Sequence, residues 1–363
     1  MRPAILTLNA GSSTVKYALF GDDGVTELSR GTLEETGETA MAKALEVTKS
    51  AEVEVVGVGH RVVHGGIRYS APARVDDTVL EALESFVPLA PLHQPHNVLG
   101  IKAARGAFPT APQIACFDTA FHRTRSFVEE AYALPRRFFD EGIRRFGFHG
   151  LSYQFIAKQL AEVAPDVANG KVVVAHLGSG ASMCALSGGR SVASTMGFST
   201  IDGIPMGTRS GNLDPGVLLH LLDQKGMPLK EVETLLYKES GLKGLSGISN
   251  DMRTLLADES SAAKEAVEYF VHRCAREVAS LATAAGGLDA LVFTAGIGER
   301  SAAIRGRIVR KLAWLGLAID DAANGRNSTL ISTRVSRAKV LCIPTNEERC
   351  IAEAVKERLA AKA

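Results

Sequence analysis

Short apolar runs alternate with amphipathic stretches along most of the chain, and this alternation predicts strands and helices in turn. Eight mostly apolar runs predict buried strands, at 4–8, 14–20, 53–58, 113–117, 171–177, 183–186, 288–294 and 340–344. Apolar residues at helical spacing predict helices at 40–49, 76–86, 152–163 and 266–285, with others near 97–106, 301–315 and 346 onward. Strands that alternate with helices are typical of the α/β class.

Two polar positions predict where helices begin. Asn97 is the last residue of a proline-rich stretch, 88–97, and is predicted to be the N-cap of the helix that ends near residue 106. Thr345 and Glu348 have the spacing of a capping box, which predicts the start of the last helix.

Glycine makes up 35 of the 363 residues, and the excess is concentrated in turns that follow apolar strands, at 9–13, 178–182 and 295–299. The first two turns each lie inside a predicted hairpin and align with one another. The aligned residues are Leu8, Gly11 and Ser13 in the first hairpin and Leu177, Gly180 and Ser182 in the second. Two such hairpins, about 170 residues apart, indicate two related domains, although so short a match also arises by chance.

Composition excludes several classes of protein. Lys plus Arg total 41 and Asp plus Glu total 40, and a net charge of +1 argues against nucleic acid as the main partner. The five cysteines are widely spaced, which is a poor disulfide or zinc framework and predicts reduced thiols in a cytoplasmic protein. The first apolar run is too short for a signal peptide, and no run approaches the length of a membrane span.

The glycine turns favour a phosphate-bearing ligand, because such turns present backbone amides to an anion. One turn alone is weak evidence, since most are only tight turns, but three in one α/β chain favour nucleotide binding. The chain has no P-loop motif, an incomplete dinucleotide fingerprint at 296–301 and none of the protein-kinase motifs. A phosphate-binding α/β chain without these signatures points to phosphate binding by paired hairpins.

Several polar residues lie in apolar or glycine-rich surroundings, and each has a functional and a structural interpretation. Arg61 suits the clamping of a carboxylate or phosphate, or equally an edge-strand salt bridge. Asp118 lies at the end of an apolar strand, which is where the sites of α/β proteins form. The structural interpretation is that it caps a turn. His149 and Arg209 each lie among glycines. Both are candidate site residues; otherwise His149 is a core histidine and Arg209 lies in a surface loop. The functional interpretation of Lys16 is that it reaches a phosphate, and the structural one is that it is solvated. For Glu347 the two interpretations are Mg²⁺ binding and a favourable interaction with the helix dipole.

Nine motifs in order resemble the acetate and propionate kinase family of the actin-like phosphotransferases. They are LNAGSSTVKY, GHRVVHGG, PLAPLHQPHN, FDTAFH, RFGFHGLSY, AHLGSGAS, MGTRSGNLDP, FTAGIGER and PTNEE, and they cover nearly the whole chain. The resemblance implies an α/β fold of two actin-like (ribonuclease H-like) domains with an interdomain active-site cleft. It implies an N-terminal domain of residues 1–120 with the C-terminal helix 350–363, and a nucleotide-binding domain of residues 121–349. A homodimer is the usual state of the family.

The resemblance also implies the roles of individual residues in Mg²⁺-dependent phosphoryl transfer from ATP to acetate, with Mn²⁺ as an alternative metal. The implied metal-site residues are Asn9 and Glu347, and the implied catalytic residues are Arg61, Asp118, His149 and Arg209. Arg61, Val63, Leu92 and Phe148 would bind the acid. The nucleotide would meet Ser12, Lys16, His176, Leu177, Gly178, Ser179, Gly180, Asp251, Met252, Arg253, Gly296, Ile297, Gly298, Glu299 and Arg300.

Three positions depart from the family pattern. Ser179 replaces an asparagine of a phosphate turn, Arg300 replaces an asparagine near the adenosine side, and Thr200 stands where a proline lines the acyl pocket. These changes leave the acyl chain length and the nucleotide affinity open. Propionate or another short acid is therefore an alternative substrate, and an actin-like ATP-binding or filament protein without an acyl acceptor is an alternative of another class.

Overall fold

The computed structural model describes residues 1–11 and 14–361. Its strands are β1 (Arg2–Ala10), β2 (Val15–Gly21), β3 (Glu27–Leu33), β4 (Val53–Val62), β5 (Ala73–Arg74), β6 (Gln113–Phe117), β7 (Lys171–Leu177), β8 (Ala181–Ser187), β9 (Arg190–Ser194), β10 (Ala290–Thr294) and β11 (Lys339–Cys342).

The α-helices are α1 (Glu38–Ser50), α2 (Asp77–Ser85), α3 (Gln94–Ala107), α4 (Phe127–Glu130), α5 (Arg136–Asp140), α6 (Gly150–Val163), α7 (Pro165–Ala168), α8 (Pro215–Leu219), α9 (Leu229–Thr234), α10 (Gly241–Ser246), α11 (Met252–Ala257), α12 (Ser261–Ala285), α13 (Ala295–Arg300), α14 (Ala302–Lys311), α15 (Asp321–Gly325) and α16 (Glu347–Ala360). Three single turns are 3₁₀ (Val87–Leu89, Ala120–His122, Ala313–Leu315) and two segments are π-helical (His220–Gln224, Leu235–Glu239). No helix in the described part of the chain is both long and apolar enough to cross a membrane.

The chain divides into two compact units. The first consists of residues 1–123, 148–155 and 346–363, and the second of residues 124–147 and 156–345. The expected domain boundaries, after residue 120 and before residue 350, stay a prediction.

The first unit is built on a six-stranded sheet with the order β3-β2-β1-β4-β6-β5. Strands β1, β4 and β6 are mutually parallel, whereas β2 and β3 continue from β1 as antiparallel hairpins. One face of the sheet packs against α1 and α3 through apolar side chains such as Leu6, Leu8 and Met41. Parallel strands covered by helices are buried on both faces, which explains their nearly continuous apolar runs.

The second unit is built on a five-stranded sheet with the order β11-β10-β7-β8-β9. Strands β11, β10 and β7 are parallel, and β8 and β9 follow as antiparallel hairpins. Reversed, this order matches strands β3-β2-β1-β4-β6 of the first unit, strand by strand and direction by direction. The shared topology confirms the α/β class and explains why the two glycine–serine hairpins resemble each other.

Three local predictions were wrong. Segment 295–299 is not a turn but the start of α13, with Ala295 in the left-handed region at φ 63°. The last helix is capped by Asn346, whose side chain accepts a hydrogen bond from the Arg349 amide at 3.0 Å, and not by Thr345. Helix α3 begins at Gln94, so Asn97 lies inside its first turn and is not the N-cap.

Candidate active-site residues

Three strands of the first unit end at one edge of its sheet, and each brings a polar residue there. Asn9 lies near the end of β1, Arg61 near the end of β4, and Asp118 directly follows β6. The Asp118 amide continues the ladder by donating to the Val62 carbonyl at 3.0 Å. Because parallel strands place their carboxyl ends together, residues more than 100 positions apart in sequence meet here.

The guanidinium of Arg61 joins these strand ends. Its Nη2 donates to Asp118 Oδ2 at 2.6 Å, and its Nε lies 3.1 Å from both carboxylate oxygens. Its Nη1 donates to Asn9 Oδ1 at 3.1 Å. The Asp118 side chain is 1% exposed and that of Arg61 16%. Such a buried, forked ion pair has a fixed geometry, which is what recognition of a planar anion requires.

Glu347 brings a second carboxylate to the cluster from the first turn of α16. Its Oε2 lies 3.9 Å from Arg61 Nε and 3.5 Å from Asn9 Nδ2. Two carboxylates beside one guanidinium leave an excess of one negative charge. The contacts of Glu347 are also long, so its oxygens can still serve a cation.

The charges of this cluster shift the pKa values of its members. Burial alone would lower the pKa of Arg61, but the carboxylates of Asp118 and Glu347 outweigh it and raise that pKa. Burial raises the pKa of Asp118 above its ordinary value, while Arg61 and the His149 amide act in the opposite direction. Arginine keeps its proton throughout the accessible pH range, so its charge at this site is permanent.

The backbone of 148–150 is held against Asp118. The His149 amide donates to the Asp118 carboxylate, and the Gly150 amide donates to the Asp118 carbonyl at 3.0 Å. His149 has a φ of 57°, a left-handed conformation that is rare for a residue other than glycine. A side chain at Gly150 would collide with the Asp118 carbonyl. Strain of this kind persists only where surrounding contacts enforce it, and it is frequent at functional sites.

The predicted acyl-pocket residues lie in the same unit. Val63 is 3% exposed and directly follows β4, and Phe148 is 1% exposed. The ring of His64 packs edge-on against that of Phe148, with centroids 5.6 Å apart. Leu92 lies half-buried in the turn before α3. The structure thus gives this edge an apolar wall, and the roles of these residues stay a prediction.

The predicted phosphate contacts of the first hairpin are only partly described. Lys16 is exposed on β2, in register with Asn9 on β1. Ser12 lies outside the described residues. The Gly11 amide donates to the Thr14 carbonyl at 2.8 Å across the hairpin.

The second unit gathers its predicted nucleotide segments at the matching edge of its own sheet. His176 and Leu177 end β7, and His176 is in register with Thr294 at the end of β10. The turn 178–180 therefore lies beside the start of α13. A side chain at Gly178 would come within 3.7 Å of Ala295. Ser179, which departs from the family pattern, is exposed.

The loop that carries Arg209 joins this edge through its backbone. The Gly207 amide donates to the Ser179 carbonyl at 3.2 Å. Arg209 itself is half-buried, and its Nη1 donates to the Thr200 carbonyl at 3.1 Å. Tyr237 forms hydrogen bonds with the side chains of Ser199 and Thr200, and burial raises the pKa of its hydroxyl.

Segment 251–253 lies at the start of α11. Asp251 caps this helix and forms a tight ion pair with Arg253, whose side chain is 89% exposed. The hydrogen bonds from Arg253 lower the pKa of Asp251 to about 2. Met252 is 3% exposed and belongs to the core. A side chain at Gly207 would meet the carbonyl of Asn250, the residue before Asp251. Segment 251–253 therefore lies beside the loop that carries Arg209.

The predicted contacts in 296–300 have different surroundings. Gly296 and Arg300 are exposed, and Ile297 is half-buried. Gly298 is buried. Glu299 turns its carboxylate inward and accepts from the Ala295 and Thr345 amides at 2.8 and 3.0 Å, which ties α13 to the end of the unit.

Sequence reasoning missed Arg305, which is fully buried in α14. Its guanidinium donates to the Gly298 and Glu299 carbonyls at 2.9 and 2.8 Å and to the Asn324 carbonyl at 2.7 Å. It also bonds the side-chain oxygens of Asn324 and Asn327. Arg305 lies at helical spacing from Ile308 and Leu312, and this placement of a charge on an apolar face was the available signal.

The first-unit cluster fits a magnesium ion by its chemistry. Glu347 and Asn9 offer the oxygen donors that Mg²⁺ prefers, beside an excess negative charge. Among the described residues, no group of three or more His, Cys, Asp or Glu side chains could hold a metal. A site with few protein ligands suits Mg²⁺, which keeps several waters and is commonly shared with substrate phosphates.

Comparison with known proteins finds relatives that match nearly the whole chain. Residues 33–353 match the model of the acetokinase family. An acetate kinase of Methylocella silvestris is 50% identical, over 97% of each chain, and one of Nitrobacter hamburgensis is 50% identical, over 96% of this chain and 95% of that one. A propionate kinase structure from Francisella tularensis has a TM-score of 0.91 at 37% identity, covering 98% of this chain and 99% of the other. An acetate kinase structure from Porphyromonas gingivalis has a TM-score of 0.88 at 31% identity, covering 98% and 100%.

Proposed function

Because the chain belongs to the acetokinase family, we propose that it transfers the γ-phosphoryl group of ATP to acetate, reversibly, giving acetyl phosphate and ADP. In this reaction a carboxylate oxygen forms a bond to the γ-phosphorus while the bond from phosphorus to the β,γ-bridging oxygen breaks. The observation that carries the proposal is the buried cluster of Arg61, Asp118, Asn9 and Glu347 in the first unit.

Arg61 has the donors to bind the acid. Asp118 and Asn9 engage three of its five N–H groups, at Nε, Nη2 and Nη1, which leaves two for an incoming anion. We propose that these bind the acetate carboxylate, and later the transferring phosphoryl group. Val63, Leu92 and Phe148 would enclose the methyl group. Phosphoryl transfer asks the protein mainly for positioning and charge neutralisation, and a fixed guanidinium supplies both.

Asp118 has an orienting role in this proposal. Acetate is already ionised at neutral pH, so no proton needs to be abstracted from it. The Asp118 carboxylate instead fixes the Arg61 fork and accepts from the His149 amide, while the Asp118 backbone carbonyl accepts from the Gly150 amide, so Asp118 also holds His149 in place. His149 and Arg209 would then stabilise the equatorial oxygens of the transferring group.

Mg²⁺, or Mn²⁺ in its place, would neutralise the phosphate oxygens of ATP when bound. Asn9 and Glu347 are the residues proposed to hold it, directly or through water. On the second unit, the turn 178–180 and the start of α13 would supply amides to the phosphates. Lys16 and Ser12, His176 and Leu177, residues 251–253 and residues 296–300 remain the proposed nucleotide contacts.

A longer acid is the second candidate substrate, because Thr200 stands where the family pattern has a proline. Thr200 is 9% exposed, and Arg209 binds its carbonyl, so a change at this position acts next to a proposed catalytic group. Comparing kcat/KM for acetate, propionate and butyrate decides the preference. A Thr200→Pro variant that moves the ranking of the acids would assign it to Thr200.

We propose a homodimer that associates through the second unit. Large apolar side chains are exposed on α8 and at the start of α9, with Val217 at 42%, Leu219 at 66% and Leu229 at 72%. Helices α8 and α9 both contact the π-helical segment His220–Gln224, and exposed apolar residues grouped in this way mark interaction sites. Light scattering coupled to size exclusion gives the oligomeric mass, and Leu219→Asp with Leu229→Asp should yield a monomer.

A reducing compartment, and so the cytoplasm, is the proposed location. All five cysteines are buried thiols. Burial raises the pKa of Cys184 to about 12, so this thiol stays protonated and unreactive.

The product identifies the reaction most directly. Purified protein with Mg-ATP and acetate should form acetyl phosphate, which hydroxylamine converts to a hydroxamate that gives a coloured complex with ferric iron. ATP hydrolysis with no hydroxamate from any acid would instead support the actin-like alternative. That alternative also predicts nucleotide-dependent polymers in light scattering and little effect of changes at Arg61 or Arg209.

A further inference from the structure

Two amide side chains are buried in the first turn of α3, where a surface helix would normally carry apolar or exposed residues. Gln94 is 0% exposed and Asn97 2%. A buried amide is costly unless it is hydrogen-bonded, so its partners indicate what it does.

Asn97 bonds with the backbones of two different strands. Its Oδ1 accepts from the Val63 amide at 2.9 Å, and its Nδ2 donates to the Ala10 carbonyl at 2.8 Å. Val63 directly follows β4, and Ala10 is the last residue of β1. Both backbone groups lie just beyond the register pairs of these strands, which end at Leu8 and His60. Asn97 therefore takes the place of the next ladder bonds.

The residues tied together in this way flank the charged cluster. Ala10 follows Asn9, and Val63 lies two residues after Arg61. The Asn9 side chain accepts from Arg61 Nη1 at 3.1 Å, so the separation of these strand ends sets that bond. One buried amide thus spans the strand that carries the proposed metal residue and the strand that carries the proposed anion-binding arginine.

We propose that Asn97 is a positioning residue, which fixes the end of β1 against the end of β4 so that Asn9 and Arg61 act together on one substrate. The inference rests on the proposed function for its kinetic consequence and on the hydrogen bonds alone for its structural one. A displacement of about 1 Å at a reacting group costs up to a hundredfold in rate, so a lost strand-end bond is expected to be visible in kcat.

Gln94 provides a matched control, because it is a buried amide in the same turn that does not bond to β1. It lies three residues before Asn97, is equally buried, and binds the residue after Val63. Its Oε1 accepts from the His64 amide and its Nε2 donates to the carbonyls of His64 and Leu83, all at 3.2 Å. None of these bonds reaches β1.

The experiment compares Asn97→Ala with Gln94→Ala in the full chain. Both should lower Tm by several degrees, because each leaves buried backbone groups without a partner. Asn97→Ala should also lower kcat at least tenfold and raise the Mg²⁺ concentration for half-maximal rate. Gln94→Ala should keep kcat within about threefold of wild type. Equal losses in the two variants, or an unchanged kcat in Asn97→Ala, would overturn the proposal.

Two further measurements keep the test decisive. Asn97→Asp keeps the acceptor for the Val63 amide but replaces the donor to Ala10 with a carboxylate oxygen, which repels the Ala10 carbonyl, so it replaces Asn97→Ala if that variant fails to fold and should show at least the same kcat loss. Crystal structures of the variants give a readout without activity. The Asn9–Arg61 bond should be lost when Asn97 is changed and kept in Gln94→Ala, and the reverse would overturn the positioning role. A wild-type enzyme that phosphorylates no acid would overturn the proposed function alone.

Discussion

Arg61 and Asp118 are 57 residues apart and form one buried ion pair, with Nη2 2.6 Å from Oδ2 and Nε 3.1 Å from both oxygens. The pair exists because β4 and β6 are adjacent and parallel, which puts both residues at the same sheet edge. The Asp118 carboxylate also accepts from the His149 amide, and the Asp118 backbone carbonyl accepts from the Gly150 amide. Its carboxylate therefore organises two of the residues proposed to contact the transferring group.

Asp118→Asn should lower kcat about a hundredfold, because a neutral amide cannot hold the Arg61 fork in place. It should also cost about 3 kcal/mol of stability, since the change removes the counter-charge that Arg61 contacts directly and leaves only the more distant Glu347. Steady-state kinetics and urea unfolding measure the two effects. In an orienting role, raised Mg²⁺ restores part of the rate.

The control for this change is Asp76→Asn, at the N-cap of α2. Asp76 accepts from the Val79 amide at 2.8 Å in an exposed position, and asparagine caps a helix equally well. Activity and stability should stay at wild-type values. If Asp118→Asn were inactive with no response to Mg²⁺ at any concentration, the orienting role would be wrong.

Gly150→Ala should abolish most of the activity, because a Cβ there collides with the Asp118 carbonyl and must displace either Asp118 or His149. A loss of at least a hundredfold in kcat/KM is expected, with a lower Tm. Gly106→Ala is the matched change near the end of α3, where a Cβ meets nothing within 4 Å. That variant should be fully active and slightly more stable, by about 0.5 kcal/mol. Full activity in Gly150→Ala would mean that this close approach is not required.

Arg305→Lys should weaken nucleotide binding without affecting the acid. Lysine cannot reproduce the bonds to the Gly298 and Glu299 carbonyls together with those to Asn324 and Asn327, so the proposed nucleotide segment loses its support. The expected result is a KM for ATP raised about tenfold, an unchanged KM for acetate, and a stability loss of about 3 kcal/mol.

Arg307→Lys, two residues further along α14, provides the comparison because Arg307 is exposed. It should change neither KM nor Tm. Equal effects on the KM values for ATP and acetate in Arg305→Lys would show a general loss of structure and contradict a specific link to segment 296–300.

His60→Gln should make stability less sensitive to acid. Burial lowers the pKa of His60 to about 4, and burial lowers that of His64 to about 4 as well, against 6.5 for an ordinary histidine. Between pH 6.5 and 4 the unfolded chain therefore binds more protons, and stability falls as the pH falls. Each histidine should cost about 2 kcal/mol between pH 7 and 5.

The glutamine of this variant can still donate to Gln113 Oε1, which accepts from His60 Nε2 at 2.8 Å. Urea unfolding at pH 7 and pH 5 should show a stability loss about 2 kcal/mol smaller in the variant than in wild type, since the other titrating groups are common to both. Identical losses would mean that His60 is not held neutral in the fold.

The spacing of apolar residues and the residue types in the turns predicted most of the fold. The apolar runs located the parallel strands because those strands are buried on both faces, and the glycine–serine hairpins predicted the repeated topology. Boundaries failed where tertiary contacts override local preference. Ala295 adopts a left-handed conformation that no sequence rule favours, and the capping position moved by one residue because the Asn346 side chain reaches the Arg349 amide.

The sequence singled out Arg61 and Asp118 but left a structural interpretation open for each, and their roles were implied only by the family resemblance. The structure places Arg61 near the end of β4 and Asp118 directly after β6, and the register of these strands brings the two side chains together. Asn97 was not predictable, because its residue type and position also fit a helix cap, and only the packing of α3 against β1 and β4 shows that its amide serves two strand ends. Arg305 was missed for a related reason, since its charge on an apolar helix face was the one signal and its partners, backbone carbonyls and two asparagine side chains, are identified only by the fold.

The proposed function requires that this chain phosphorylates a carboxylate at the Arg61 site. The most direct measurement is ADP release by the purified protein with Mg-ATP, alone and with acetate, propionate or butyrate, for wild type and Arg61→Lys. We expect ADP release that requires the acid. We expect the rate to fall at least tenfold in Arg61→Lys, because lysine cannot form the paired hydrogen bonds of a guanidinium. Release that ignores every acid, or that is unchanged in Arg61→Lys, would contradict the proposed function.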